Sequence, residues 1–491
     1  MIAAHLPALQ IIIPLLCAPF CLLLRWNWYV YGIALVASWA AFAVSIALLK
    51  LVLAGGPISY QLGGWAPPWG IEYVVDSVNA YVLLIVSAIG ALVITFGKQS
   101  VERELPIGKD GLFYTSYLLC LAGLLGVTIT GDAFNIFVFL EISSLSSYIL
   151  ISLGRQPMAL TAAYRYLVLG TIGATFYLIG VGLLYQATGT LNIADLAVRV
   201  AEVGDSRSVR ASFGFMTVGL GIKLALFPLH VWLPNAYAYA PSVSSAFLAA
   251  TATKVSIYVL VRVFFTIFGP DYSFETMPLD VVLLPLAVTA MFVGSLVAIF
   301  QDDVKRMLAY SSVAQIGYMI AGICLASVIG LTGGLLHLFN HALMKGVLFL
   351  AMGCVVYRLG SVMLDDLSGL GRRMPWTMAA FVVGGLSLIG IPLTAGFVSK
   401  WYLILGALDK DWWWLAALIL LSSLLAIIYV WRIIEVAYLR APPEGAQRSE
   451  APLPLLIPTW GLALANIYFG IDTRVSVGVA ETAATFLMSA K

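Results

Sequence analysis

KLALFPLHVWLPNAYAYAPS, residues 223–242, sets a lysine, a histidine and three prolines inside an otherwise apolar stretch. Proline removes a backbone donor and clashes with the preceding turn, so a membrane helix carrying Lys223 cannot pass Pro228 unbroken. Carbonyls freed at such a break need protein partners or water. The stretch reads as an interrupted membrane helix whose opening lets water reach Lys223 and whose carbonyls, freed by Pro228, can solvate a cation.

The rest of the chain is apolar enough for that reading. Of 491 residues, 62% are hydrophobic and 10% charged, with a mean hydropathy of +0.99, whereas soluble domains carry roughly 25% charged residues. A hydrocarbon core takes about 20 apolar residues per helix. Runs punctuated by charges, Pro and Gly give fourteen spans, near 6–24, 29–53, 77–97, 111–130, 133–153, 161–186, 212–235, 240–267, 279–300, 305–326, 328–357, 375–401, 411–440 and 453–470. The alternation of a membrane barrel is absent, which leaves an all-α polytopic bundle.

Several function classes drop out. The longest polar connections, Asn192 to Arg210 and Arg440 to Pro452, leave no room for a separate catalytic module. Basic and acidic residues number 26 and 24, and no basic stripe offers itself to nucleic acid. Cys17, Cys21, Cys120, Cys324 and Cys354 lie in apolar surroundings without a C-x-x-C pair, so they read as packing residues with no redox role. Leu6 to Leu24 is followed by Arg25 and lacks an A-x-A site, so it reads as a retained first span.

Loop charges set an expected orientation. After odd-numbered spans come Arg25; Lys98, Arg103 and Lys109; Arg155; Lys305 and Arg306; Arg358, Arg372 and Arg373; and Arg432, Arg440 and Arg448. After even-numbered spans there are fewer, namely Lys50, Arg199, Arg207, Arg210 and Lys410, and Asp271 and Glu275 make one such loop acidic. The positive-inside rule then puts both termini outside the cell membrane. A second damaged span carries LIGIPLTAGF, with Gly390, Pro392 and Gly396. Interrupted spans five apart suggest two five-helix repeats. The expected division is 1–110 (three helices), 111–268 (helices 4–8), 279–440 (helices 9–13) and 441–491 (the last helix and a tail). The repeat is inferred from spacing, since direct similarity between the units is too weak to claim by inspection.

Five ionisable side chains fall near the middle of apolar runs: Glu141, Lys223, Lys254, Lys345 and, closing its run, Lys400. A lysine at a helix centre costs about 2.5–3.5 kcal/mol on insertion, so these should face a bundle interior or a hydrated cavity. His337, His341 and Lys345 recur at four-residue spacing on one helix face, and Ser244, Thr251, Lys254 and Tyr258 share another. His230, beside Pro228, is a possible auxiliary. Hydrogen-bond glue between helices is the plainer reading for any one of them, and Lys400 could merely snorkel to the interface. The His337/His341 spacing suits zinc, but Phe339 and Asn340 replace the H-E-x-x-H pattern and Lys345 would repel a metal. Burial weakens an ammonium's hold on its proton, and imidazole exchanges protons near neutrality. A file of these groups is chemically a proton relay needing no cofactor.

FNIFVFLEISSLSSY, the long motif KLALFPLHVWLPNAYAYAPSVSSAFLAATATKVSIY, HLFNHALMKGVLFL and GIPLTAGFVSKW resemble the antiporter-like subunits shared by respiratory complex I and Mrp-type multisubunit monovalent cation/proton antiporters. The resemblance covers most of the fourteen spans. It implies inverted five-helix repeats with helices 7 and 12 broken, and a charged mid-membrane axis of Glu141, Lys223, Lys254, His337, His341, Lys345 and Lys400. Tyr237 and Lys400 make the chain look most like the D-type subunit of Mrp antiporters. The implied function is proton translocation within a Na⁺(K⁺)/H⁺ antiporter, beside other hydrophobic subunits in a prokaryotic plasma membrane. Related subunits also serve complex I-like and hydrogenase redox complexes and inorganic carbon uptake.

Overall fold

The computed structural model describes residues 2–24 and 27–489. Arg25, counted above among the loop charges, lies outside the described residues. Twelve continuous helices among those described are long and apolar enough to cross a membrane. The first six are α1 (Leu6–Leu23), α2 (Asn27–Gly55), α3 (Ser77–Glu104), α4 (Asp110–Ile129), α5 (Ala133–Ser152) and α6 (Met158–Thr188). A short hairpin of β1 (Ile58–Gln61) and β2 (Glu72–Val75), not anticipated from sequence, joins α2 to α3.

The seventh crossing is split into α8 (Arg207–Lys223) and α9 (Leu233–Tyr239). Ahead of it, α7 (Ile193–Val203) occupies most of the segment read as a polar connection. Its apolar side buries Ile193, Leu196 and Val200, an i, i+3, i+7 pattern that packs one face and leaves the other polar. Then come α10 (Ser242–Val261), continued by π-helical turns over Arg262–Ile267, and α11 (Leu279–Ile299), α12 (Val304–Cys324) and α13 (Val328–Leu359). After the short α14 (Leu370–Arg373), the twelfth crossing is split into α15 (Pro375–Ile389) and α16 (Ala395–Asp409). The chain closes with α17 (Trp413–Ile434), α18 (Leu453–Ile471) and α19 (Arg474–Ser489). The expected tail is thus a further helix, which lays Val479, Ala480, Ala483 and Leu487 against the bundle.

The start of α5 and the start of α12 are built by matching bonds. At the start of α5, Ala133 N donates to Leu191 O (2.8 Å) and Ile193 N to Gly131 O (2.9 Å). At the start of α12, Val304 N donates to Val362 O (3.1 Å) and Leu364 N to Asp302 O (2.8 Å). Asp132 caps α5 and Asp303 caps α12, and Gly189 and Gly360, both left-handed, end α6 and α13. Each pair is separated by the same number of residues. The similarity judged too weak in the sequence is therefore present in TGTLNIADL, from Thr188, and LGSVMLDDL, from Leu359. Five crossings, an odd number, separate α5 from α12, so the two motifs lie on opposite sides of the membrane and the repeat is inverted.

Helix α13, 32 residues long and so about 48 Å, packs against α3, α10, α12, α15, α16, α18 and α19. From Gly330 to Val355 every residue is buried. It is the post around which the second unit is built.

Candidate functional site

At the first break, α8 ends because Leu224 leaves the helix, Ala225 takes a left-handed φ of 60° and Pro228 has no N–H to continue. The last carbonyls of α8 are not free. Leu226 N donates to Gly221 O (2.8 Å), and the Trp232 indole donates to Ile222 O (2.9 Å) while stacking on Tyr166 with ring centres 3.8 Å apart. Lys223 turns the other way, towards α5, where its ammonium donates to Glu141 Oε1 (3.2 Å) and Ser144 Oγ (2.7 Å). The expectation that carbonyls freed by Pro228 solvate the cation here is corrected: a carboxylate and a hydroxyl do so.

Carbonyl solvation occurs at the second break. There α15 stops at Gly390, whose φ of 92° suits only glycine, and Pro392 follows before α16 resumes. Lys400, on the second half-helix, folds back so that Nζ donates to Leu388 O (3.1 Å) and Ile389 O (2.8 Å). An ammonium on terminal carbonyls satisfies orphan acceptors and opposes the negative end of the helix dipole. The same Nζ lies 4.9 Å from the centre of the Tyr318 ring. Lys400 is 5% exposed, so it does not snorkel to the interface.

Between the breaks runs the α13 row. His337, His341 and Lys345 are fully buried. His337 bonds Ser399 Oγ through Nδ1 and Gln315 Oε1 through Nε2, both at 2.9 Å. Lys345 donates to Leu308 O (2.7 Å) and Ser311 Oγ (2.5 Å). Neither nitrogen of His341 has a partner among the described residues. The two imidazoles stack 6.2 Å apart and do not converge on a common point. Lys254, also fully buried, donates to Ala249 O and Thr253 Oγ1, and it lies within electrostatic reach of His337, His341 and Lys345. A proton arriving at one of these positions therefore repels protons at the others, because charges on fully buried groups are weakly screened.

The structure thus gathers Lys254, His337, His341, Lys345 and Lys400 into one group running from α10 to α16. Glu141 and Lys223 form a second group. Among the described residues no hydrogen bond joins Lys223 to Lys254. The proposed auxiliaries are committed to backbone acceptors: Ser244 to Leu150 O, Thr251 to Phe247 O and Tyr258 to Thr128 O. His230 is half-buried and stacks on Phe227, ring centres 5.3 Å apart. Sequence reasoning missed Ser144, Ser311, Gln315, Tyr318 and Ser399, whose side chains contact the axis. Ser311, Gln315 and Tyr318, at i, i+4 and i+7 in SSVAQIGY, carry a polar face that could have revealed three of them. It also missed the buried Arg262–Asp76 pair, Nη2 at 2.6 Å from both carboxylate oxygens, which ties the end of α10 to the start of α3.

Residues 130–426 match the family described as NADH:quinone oxidoreductase/Mrp antiporter, TM. A relative from Desulforudis audaxviator named NADH-quinone oxidoreductase subunit N is 45% identical over 92% of this chain and 90% of its own length. The D-type subunit of a Na(+)/H(+) antiporter from Alkalihalophilus pseudofirmus is 32% identical over 95% of this chain and 94% of its own. A chain in the Mrp complex from Dietzia superposes with a TM-score of 0.90 at 28% identity, covering 100% of this chain and 98% of that one.

Proposed function

Because the chain belongs to the NADH:quinone oxidoreductase/Mrp antiporter transmembrane family, we propose that it is the proton-translocating subunit of a multisubunit Na⁺(K⁺)/H⁺ antiporter. Protons would pass among Lys254, Lys345, His341, His337 and Lys400, with the Glu141–Lys223 pair as the coupling element. The observation that carries this reading is the buried group of lysines and histidines, in which, among the described residues, no carboxylate hydrogen-bonds any member. Held only for stability, such a group would cost more than an apolar core of the same shape. Three lysines that can lose a proton and two imidazoles that can gain one form a path for protons.

In this reading His341, whose nitrogens have no hydrogen-bond partner among the described residues, receives and releases protons between its neighbours Lys254 and Lys345. His337 continues the path through Ser399 to the second break, where Lys400 waits on the carbonyls of α15. Other membrane subunits would flank α5, and the complex would lie in a prokaryotic plasma membrane with both termini of this chain outside.

The relative named as subunit N of an NADH-quinone oxidoreductase favours a second reading, in which the same relay is driven by electron transfer elsewhere in a redox complex. Everted vesicles containing the assembled complex separate the two. Under antiport, added Na⁺ or K⁺ dissipates an imposed pH gradient without any electron donor, and Lys254→Ala removes that response. A gradient that answers only to an oxidisable donor would replace the antiporter with the redox pump, and a wild-type response in Lys254→Ala would overturn the relay itself.

A further inference from the structure

We propose that a groove between the first turns of α11 and α17 binds one phospholipid with an ethanolamine headgroup, its ammonium on Asp280, its phosphate at Lys410 and one acyl chain along α11. The groove measures about 540 Å³, within the range of about 300–1,000 Å³ typical of small-ligand sites. It lies on the side reached by the loops after even-numbered crossings. One wall is the α11 face of Val281, Leu284, Pro285 and Val288, at i, i+3, i+4 and i+7, and the other is Trp412 and Trp414 at the start of α17. Val281 and Pro285 are exposed on the outside of the bundle, so this apolar face opens towards hydrocarbon chains.

The aromatic wall fixes the depth. Trp412, Trp413 and Trp414 follow one another in DKDWWW, with Trp413 72% exposed, and the Trp412 and Trp414 rings stack with centres 6.0 Å apart. Indole rings gather where a bilayer meets water, so the start of α17 marks the level of the lipid headgroups. There the groove presents both signs of charge. Asp280, in the first turn of α11, lines it, and Asp280 Oδ1 is buried without a hydrogen-bond partner among the described residues. Pro285, inside the same helix, has no N–H to give the Val281 carbonyl. A primary ammonium brings three donors to that carboxylate and that carbonyl.

Lys410 stands beside the same wall, its Nζ 5.1 Å from the centre of the Trp412 ring, and Cys324, at the end of α12, lies within electrostatic reach of both Asp280 and Lys410. Exposed Asp409 and Asp411 flank Lys410. Three carboxylates against one ammonium repel a headgroup of net negative charge and admit one whose phosphate is balanced by its own ammonium. Lys410, Asp411 and Trp412 also join α16, which bears Lys400, to α17. A lipid seated across α11 and α17 therefore holds the base of that half-helix and stabilises the fold according to its occupancy.

The site stands whether or not the relay does, because binding is read without transport. The assembled complex, stripped of lipid in detergent, is given phosphatidylethanolamine, phosphatidylcholine or phosphatidylglycerol with identical chains, and bound lipid is counted by native mass spectrometry. Asp280→Asn should weaken one phosphatidylethanolamine site per copy of this chain about tenfold or more and leave binding of phosphatidylcholine, which has no N–H donor, unchanged. Thr289→Trp, an exposed position lining the groove, should remove that lipid by filling its place. In the unsubstituted complex, phosphatidylethanolamine with a photoreactive acyl chain should label α11 or α17, with phosphatidylglycerol labelling them less. An unchanged lipid count in Thr289→Trp, or no label on either helix, would overturn the site. Equal labelling by phosphatidylglycerol would overturn the headgroup assignment, and a cross-link from Thr289→Cys to another subunit would make the groove a protein interface instead.

Discussion

The Lys223 ammonium lies 3.2 Å from Glu141 Oε1 with its side chain 3% exposed, whereas the Glu141 side chain is 23% exposed. The pair is thus sealed on the lysine side and open on the glutamate side, and a charge on a neighbouring subunit can act on Glu141 without first reaching Lys223. Glu141→Gln should abolish coupled transport, and Glu141→Asp should keep part of it, because the carboxylate survives on a shorter arm. Removing one member of a buried pair costs about 3–5 kcal/mol, which Ser144 partly offsets. Assembly and transport measured on the same Glu141→Gln membranes decide the matter: lost assembly would make the pair a static tie between α5 and α8.

Lys254→Arg should transport no better than Lys254→Ala. Guanidinium keeps the charge but holds its proton under all working conditions, so it cannot pass one on. Proton flux in reconstituted vesicles is the measurement, and a wild-type rate in the Arg variant would remove Lys254 from the path.

Lys400→Met should lower the thermal stability of the complex as well as its transport. The substitution uncovers two buried carbonyls, those of Leu388 and Ile389, at a cost of about 2 kcal/mol. Lys400→Arg should restore stability more than transport. Equal recovery of both would reduce Lys400 to a helix cap.

Gly173 and Gly219 pack α6 directly on α8. A Cβ at Gly173 would lie 2.9 Å from Gly219 O, and one at Gly219 would lie 2.7 Å from Tyr177 N. Gly219→Ala should therefore destabilise by about 1–3 kcal/mol and displace Lys223, four residues on. Reduced heat stability with impaired transport is expected, and an unchanged melting profile would contradict the packing.

Cysteines at Asp302 and Arg372, both exposed, should be protected from impermeant reagents in right-side-out vesicles, while one at Glu275 should label. Labelling at Asp302 without permeabilisation would reverse the orientation and move the proposed lipid site to the other leaflet.

Membrane crossing depends on local properties, and these were legible residue by residue. The fourteen crossings, the two breaks and the identity of the mid-span ionisable groups follow from hydrophobic length, from Pro228, Gly390 and Pro392, and from the cost of placing a charge in an apolar run, whereas the burial of Asp76, Arg262 and Lys305 near span ends did not. The repeat was legible too, in TGTLNIADL and LGSVMLDDL, but only once the backbone bridges at Gly131 and Asp302 showed which segments to compare. Pairings were not legible. Pro228 and Pro392 present the same local signal, yet Lys223 finds Glu141 from α5, and Lys400 finds the carbonyls of its own broken helix. At the first break Trp232 already occupies Ile222 O, and α5 brings a carboxylate within reach. At the second, among the described residues, no acidic side chain hydrogen-bonds Lys400. The sequence by itself determined which mid-span groups had to be buried and where helices had to stop. Only the packing of helices distant along the chain decided which partner each buried charge met, because a hydrogen bond is set by a few tenths of an ångström between elements that no local pattern relates.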